Sequence, residues 1–324
     1  LLSARAFLES TRGTGGTPTR ILYFDQGTHE QKVATIAPTE KRATYLPTFR
    51  AYPGIERNTL TFSGDWTYDQ SIWWLNLHEK AVASGTGAGG DKTWTFLPTH
   101  TSDDLKSATV QFGYTDSIGA TRPAWELQGC LGNELKVSWR KDQSVQFESQ
   151  LMSAEAATQL TAFTGALSDV TTISALGTGT QVWIDTTTIG TTLDADIMDV
   201  DFTVTNGYSY LDTLNNTAVA AEILRGGPKT WRLEFTRYYR NDTELDLNLI
   251  KTPRKVRVRT VGPVVGGGFY TITLDCYGVY DGDAYEKTVV DGLGVEKYAL
   301  VPIYDATATT DHSWVVINAS ATIT

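Results

Sequence analysis

The sequence is poor in cysteine, methionine and histidine, and it has no surplus of positive charge. Its 324 residues include two cysteines, two methionines and four histidines. Cys130 and Cys276 are too few for the disulfide framework of a small secreted domain. Cys276 alternates with polar neighbours and reads as a small core residue. No second histidine stands at helical spacing from His29, His78, His100 or His312, so His78–Glu79 lacks the partner of a zinc-protease motif. No apolar run approaches the ~18–20 residues that span a bilayer, so no membrane association is expected. Leu1–Ser10 includes Arg5 and Glu9 and is not read as a secretory leader. The net charge of −10 argues against tight wrapping of nucleic acid, which needs clustered Lys and Arg. It is compatible with an acidic wall past which DNA moves without sticking.

Signatures of chemistry are missing as well. Gly266–Gly268 is followed by Phe269, Tyr270 and an alternating run, without the Lys-Ser/Thr and helix of a phosphate-binding loop. A dinucleotide fingerprint fails in the same way, and so does the second glycine cluster, Gly85–Gly90. Both clusters are expected to turn the chain. The acidic stretch DADIMDVD, Asp194–Asp201, puts Met198 and Asp199 where a calcium loop needs an oxygen ligand and a glycine, so it reads as an acidic strand face. No G-x-S-x-G elbow is present. Paired carboxylates and nine tryptophans leave a glycosidase or a sugar-binding surface conceivable, but no site can be located, so no enzyme activity, cofactor or metal is expected.

What is present is alternation. Leu135, Val137 and Trp139 alternate with Lys136, Ser138 and Arg140, and Val200, Phe202 and Val204 with Asp199, Asp201 and Thr203. Val256 and Val258 alternate with Arg257 and Arg259, and Tyr270, Ile272, Leu274 and Cys276 with Thr271, Thr273 and Asp275. Each pattern predicts a strand with one buried face, and many such strands predict a mainly β sandwich or barrel. A helix is expected within Asp65–Val82, capped by Thr67 or Asp69 and ended near Ser84–Gly85, with apolar stripes on two sides. A faint repeat relates NTLTFSGDWTYDQSIWWLNL and the two strands after it to TWRLEFTRYYRNDTELDLNL and the two strands after that. In the second copy Leu245, Leu247 and Leu249 alternate, which leaves strand as well as helix open there. Thr11–Arg20 reads as an extended arm, Pro38–Gly54 as a long loop, and Ala154–Gly179 as a connecting excursion. The expected division is an arm and loop over 1–57, a first β domain over 58–165 and a second over 166–324.

The order strand, helix, glycine loop, KTWTFLPT and GCLGNELKVSWRKDQSVQFESQL resembles the tail tube (major tail) proteins of long-tailed bacteriophages. QVWIDTTTIGTTLDADIMDVDFTVTNG resembles the middle of larger members, and LVPIYDATATTDHSWVVINAS their closing hairpin. The resemblance covers most of the chain from about Asn58 onward. It implies a tail-tube fold, a β-sandwich with one or two packed helices that completes a barrel only with its neighbours, duplicated here within the chain. It also implies a virion protein assembled in the bacterial cytoplasm, whose stacked rings enclose the tape measure protein and conduct DNA. Its partners would be itself, the tape measure protein, the tail terminator and distal tail proteins, with DNA in transient passage. Three chains would supply a ring if the chain is duplicated, and six if it is not. Under this resemblance Asp199 and Asp201 are the expected lumen-facing acids. Arg12, Arg20, Tyr45, Phe49 and Tyr52, in the arm and the long loop, are the expected contacts between rings. The alternative is a carbohydrate-binding β-sandwich module of a virion or surface, whose sign would be an exposed tryptophan in a groove.

Overall fold

The computed structural model describes residues 2–36, 52–87, 89–98, 105–115, 121–164, 167, 172–212, 220, 222–290 and 292–323. Nineteen strands and two α-helices run through them. The first stretch holds β1 (Leu2–Leu8), β2 (Arg20–Leu22), β3 (Gln26–Ile36), β4 (Tyr52–Asp65), α1 (Ser71–His78), β5 (Lys92–Phe96), β6 (Ala108–Thr115), β7 (Thr121–Arg140), β8 (Gln146–Ser153) and β9 (Thr158–Leu160). The second holds β10 (Thr180–Asp185), β11 (Ile197–Thr205), β12 (Tyr208–Leu211), β13 (Glu222–Arg225), β14 (Thr230–Tyr238), α2 (Thr243–Leu249), β15 (Arg254–Val265), β16 (Gly268–Tyr280), β17 (Glu286–Val290), β18 (Leu293–Pro302) and β19 (His312–Asn318).

The strands pair antiparallel, and the pairings trace one broad sheet of eight strands in the order β3–β4–β8–β7–β11–β14–β18–β17. Its inner face packs on a second layer, β10–β15–β16–β19–β5. Trp139 of β7 stacks on Trp314 of β19, and Phe202 of β11 meets the same indole edge-on. A further sheet, β2–β1–β6–β7–β9, uses the first half of β7. The twenty-residue β7 therefore belongs to two sheets. It bends between them at Gly129, which has a positive φ of 62°, and at a bulge between Gly132 and Glu134. A Cβ on Gly132 would lie 2.7 Å from the Leu77 carbonyl oxygen, so only glycine lets the bend nest against the end of α1. The two glycines of GCLGN, Gly129 and Gly132, thus lie at a bend within one strand. The eight-stranded sheet does not close on itself within one chain: among the described residues β3 pairs only with β4, and β17 only with β18.

Alternation located the strands well. Leu135, Val137, Trp139, Val200, Phe202, Val204, Val256 and Val258 are buried. Gly266 and Gly267 form a two-residue hairpin loop between Val265 and Gly268, with φ of 56° at Gly266. A Cβ on Gly266 would crowd Gly90 and Asp91, so the two glycine clusters lie against one another.

Several expectations are corrected. The segment before Asn58 is no appendage: β1 pairs along its length with β6, with Ala4 and Ala6 fully buried, and β4 runs unbroken across the expected boundary at residues 57 and 58. The helix is shorter than expected, Ser71–His78, because Trp66 and Tyr68 serve the core from the preceding turn; Gln70 is its N-cap, without a side-chain cap, and Glu79 its C-cap. The alternating leucines near 245 lie on a helix, α2, and not a strand. The excursion after Ala154 contributes β9 to a sheet. The last two strands make no hairpin, because β19 inserts between β16 and β5.

The observed order repeats. β3, β4, α1, β5, β6, β7 and β8 are matched in type and sequence by β11, β14, α2, β15, β16, β17 and β18, with the hairpin β12–β13 added between the first two. The broad sheet reads β3–β4–β8–β7 and then β11–β14–β18–β17, the same order twice, and the two quartets join edge to edge where β7 pairs with β11.

Candidate assembly surface

The broad sheet has one face in the core and one face polar. On β11, Asp199, Asp201, Thr203 and Thr205 occupy the polar face, opposite Arg140, Ser138, Lys136 and Glu134 of β7. The two expected acids are therefore on a non-core surface, as alternation required. They are not bare charges on it. Arg140 Nη2 donates to Asp201 Oδ2 over 2.8 Å, and Ser138 Oγ donates to Oδ1 over 2.5 Å. Burial alone would raise the Asp201 carboxyl, but these donors outweigh it and hold it below the usual range. Glu234, opposite Asp201 on β14, is bound by Arg232 Nε and by Lys297 Nζ, each at 2.8 Å, and is lowered in the same balance. Nearby, Asp196 meets Arg240 at 2.7 Å, while Arg237, on the buried side of β14, meets Asp194 at 3.5 Å. The face is a ladder of paired charges, which corrects the expectation of a plain acidic wall. Asp199 also lines a cleft of about 210 Å³ with Trp139 and Leu193, below the ~300 Å³ at which ligand pockets begin.

The other expected contact residues fall differently. Arg20 turns to its own chain: Nη1 donates to the Asp69 carbonyl at 3.3 Å, and burial lowers its guanidinium against the opposing pull of Asp69. Arg12 donates to the Ile223 carbonyl at 3.0 Å, tying the loop after β1 to β13. Both are engaged within their own chain. Tyr52 begins β4, opposite Ile36. Tyr45 and Phe49 lie outside the described residues.

Sequence reasoning missed the two edges of the broad sheet and the surface of α2. All five residues of β17 are exposed, Val289 by 68%. On β3, residues 30–35 are exposed, Val33 by 45%. A strand edge of this kind presents unpaired N–H and C=O groups to any strand that can reach it. α2 buries the polar residues Glu244 and Asn248 and leaves Leu249 and, just beyond it, Ile250 exposed by 71% and 72%. The Glu244 carboxylate is fixed beneath the helix by Arg254 Nη2 and Tyr280 OH, each at 2.6 Å. A solvent-facing helix normally turns its polar side outward; α2 does so at Thr243 and Asp246, but its C-terminal end shows Leu249 and Ile250.

At the corresponding place in the first half, the end of α1 is sealed by residues of the second half. Asn206, just after β11, donates to the His78 carbonyl at 3.0 Å, and Lys229, just before β14, donates to the same oxygen at 3.0 Å. Lys229 also pairs with Glu79, whose carboxylate accepts from Trp314 Nε1 at 3.1 Å and meets His312 Nε2 at 2.9 Å. Asp311 holds the other His312 nitrogen at 2.7 Å. Burial would raise Glu79 and lower His312, yet Lys229 and His312 drive Glu79 down while Glu79 and Asp311 drive His312 up, so both are charged. This acid–base cluster resembles a catalytic relay in composition. The Glu79 and His312 side chains have no solvent exposure, however, and no substrate atom can reach them. They hold the two halves together. The tryptophans are likewise internal: seven of the nine are buried, and Trp125 and Trp183 are half-buried.

Among the described residues no helix is long and apolar enough to cross a membrane. No protein-family model matches the chain, and no curated protein matches it in sequence.

Proposed function

We propose that the protein is a self-assembling structural subunit of a phage tail tube, and that its two halves are a duplicated tube-forming unit. The observation that carries this reading is the broad sheet: two quartets of the same strand order are already joined edge to edge, and among the described residues both outer edges are open. A sheet that extends by adding one more quartet at each edge buries its unpaired groups only by closing. With two units per chain, three chains provide the six units that the resemblance implies. The polar face of the sheet then lines the lumen. Its paired charges, such as Asp201 with Arg140, offer passing DNA neither a cationic surface to stick to nor a strong repulsive field. The unit works by geometry and not by turnover, and the tape measure protein and DNA are its transient contents. The carbohydrate-binding reading calls for an exposed tryptophan, and none of the nine is exposed.

Electron microscopy of purified protein tests the reading. End-on views are expected to show hollow rings with six-fold modulation from three chains. A strictly monomeric protein at all concentrations overturns it.

A further inference from the structure

The β7–β11 junction inside the chain gives the register of a junction between chains. Resting on the tube reading above, we infer that β17 and α2 of one copy receive β3 of a second copy of this chain, in an antiparallel pairing that sets Thr288 opposite Thr28.

The correspondence follows from registers alone. The buried pair Leu60 and Phe62 of β4 matches Leu233 and Phe235 of β14, which equates Thr61 with Glu234. Thr61 faces Thr28 on β3, and Glu234 faces Asp201 on β11, so Thr28 corresponds to Asp201. On the other side, Thr61 faces Gln150 and Glu234 faces Ala299, so Glu148 corresponds to Lys297. Glu148 faces Lys136 and Lys297 faces Glu286, which equates Lys136 with Glu286 and Ser138 with Thr288. Within the chain Asp201 faces Ser138. The matching pair between chains is Thr28 and Thr288.

The helices supply an independent observation. Both carry Leu-Asn-Leu with the asparagine buried, Asn76 in α1 and Asn248 in α2, so His78 corresponds to Ile250. Within the chain the His78 carbonyl is covered by Asn206, and by the strand match above the counterpart of Asn206 is Val33. Val33 and Ile250 are both exposed in the isolated chain, by 45% and 72%. A polar contact inside the chain thus becomes an apolar one between chains, and the exposed Leu249–Ile250 surface acquires a reason. The same register brings Glu30 against Glu286, each beside a lysine of its own, Lys32 at 2.9 Å and Lys297 across the strand pair.

Paired cysteines test the register. Cys130 and Cys276 are buried, so they leave the surface clear for Thr28→Cys and Thr288→Cys. In the assembled double variant, mild oxidation is expected to convert most of the monomer band into a ladder that ends at the number of chains per ring. Each single variant is expected to stay at background. Disulfide dimers from either single variant, which signal β3–β3 or β17–β17 contact, overturn the inference, as do rings in which the double variant does not cross-link. Ile250→Asp is the second arm: assembly is expected to drop at least tenfold with the melting of the unassembled chain unchanged, and wild-type assembly overturns the part given to α2. Rings without the cross-link defeat this inference and leave the tube reading standing. A wild-type chain that never assembles defeats both.

Discussion

The two helices occupy matching places in the chain order and have opposite surroundings. All eight residues of α1 are buried, including Trp73, Trp74 and Leu75, and the second half of the same chain covers its C-terminal end through Asn206 and Lys229. α2 buries two polar residues and shows Leu249 and Ile250 to solvent. The same kind of element is finished in one place and unfinished in the other. Under the proposed tube reading, what distinguishes them is that the end of α1 is covered within the chain, whereas that of α2 is covered by a neighbouring copy.

The comparison can be broken most strongly at the sealed junction. Lys229→Met leaves the Glu79 carboxylate buried without its ammonium partner and is expected to destabilise the chain by about 3 kcal/mol, read as a lowered urea midpoint. Next come matched truncations: Leu75→Ala is expected to lower stability by roughly 2–5 kcal/mol, while Leu249→Ala changes the unassembled chain by under about 0.5 kcal/mol. Equal losses in thermal melts would erase the distinction between the helices. A third measurement uses pH. Burial pushes His78 down to about 3, so the folded chain holds it neutral while the unfolded chain binds a proton below about 6.5. Stability from this group is present above pH 6.5 and falls as the pH drops toward 3, with Glu79 adding to the loss below about 4.5. His312, raised by its carboxylates, acts in the opposite sense: its contribution is lost as the pH rises through its elevated value. Urea midpoints between pH 6.5 and 4.5 are expected to decline in the wild type and to flatten in His78→Gln. A small effect is also expected at the polar face, where Asp201→Asn removes a part-exposed ion pair and costs under about 1 kcal/mol.

Much of the fold was legible because burial writes a period of two into a sequence. Val200, Phe202 and Val204 identified β11 and placed Asp199 and Asp201 on its polar side before any coordinates. Pairing was not legible, since alternation reports which face is buried and not which strand lies alongside. Nothing local shows that Asp201 meets Arg140, sixty-one residues earlier. The N-terminal strand was hidden because Ala4 and Ala6 are small and Arg5 interrupts them. α2 stayed open between helix and strand for another reason: its fully buried positions are Glu244 and Asn248, while Leu245 and Leu247 are half-buried and Leu249 is exposed. The edges at β3 and β17 looked like any other alternating or short segment, and only the sheet order marks them as ends.

The placement of β19 bears on how the chain is made. Asn318 donates to the Tyr68 carbonyl across 250 residues, and β19 pairs with β5 of the first half. The niche of α1 is therefore incomplete until nearly the whole polypeptide exists, and closing so long a loop is slow. A chain truncated before β19 lacks the strand that pairs with β16 and β5 and the Asn318 donor to the Tyr68 carbonyl.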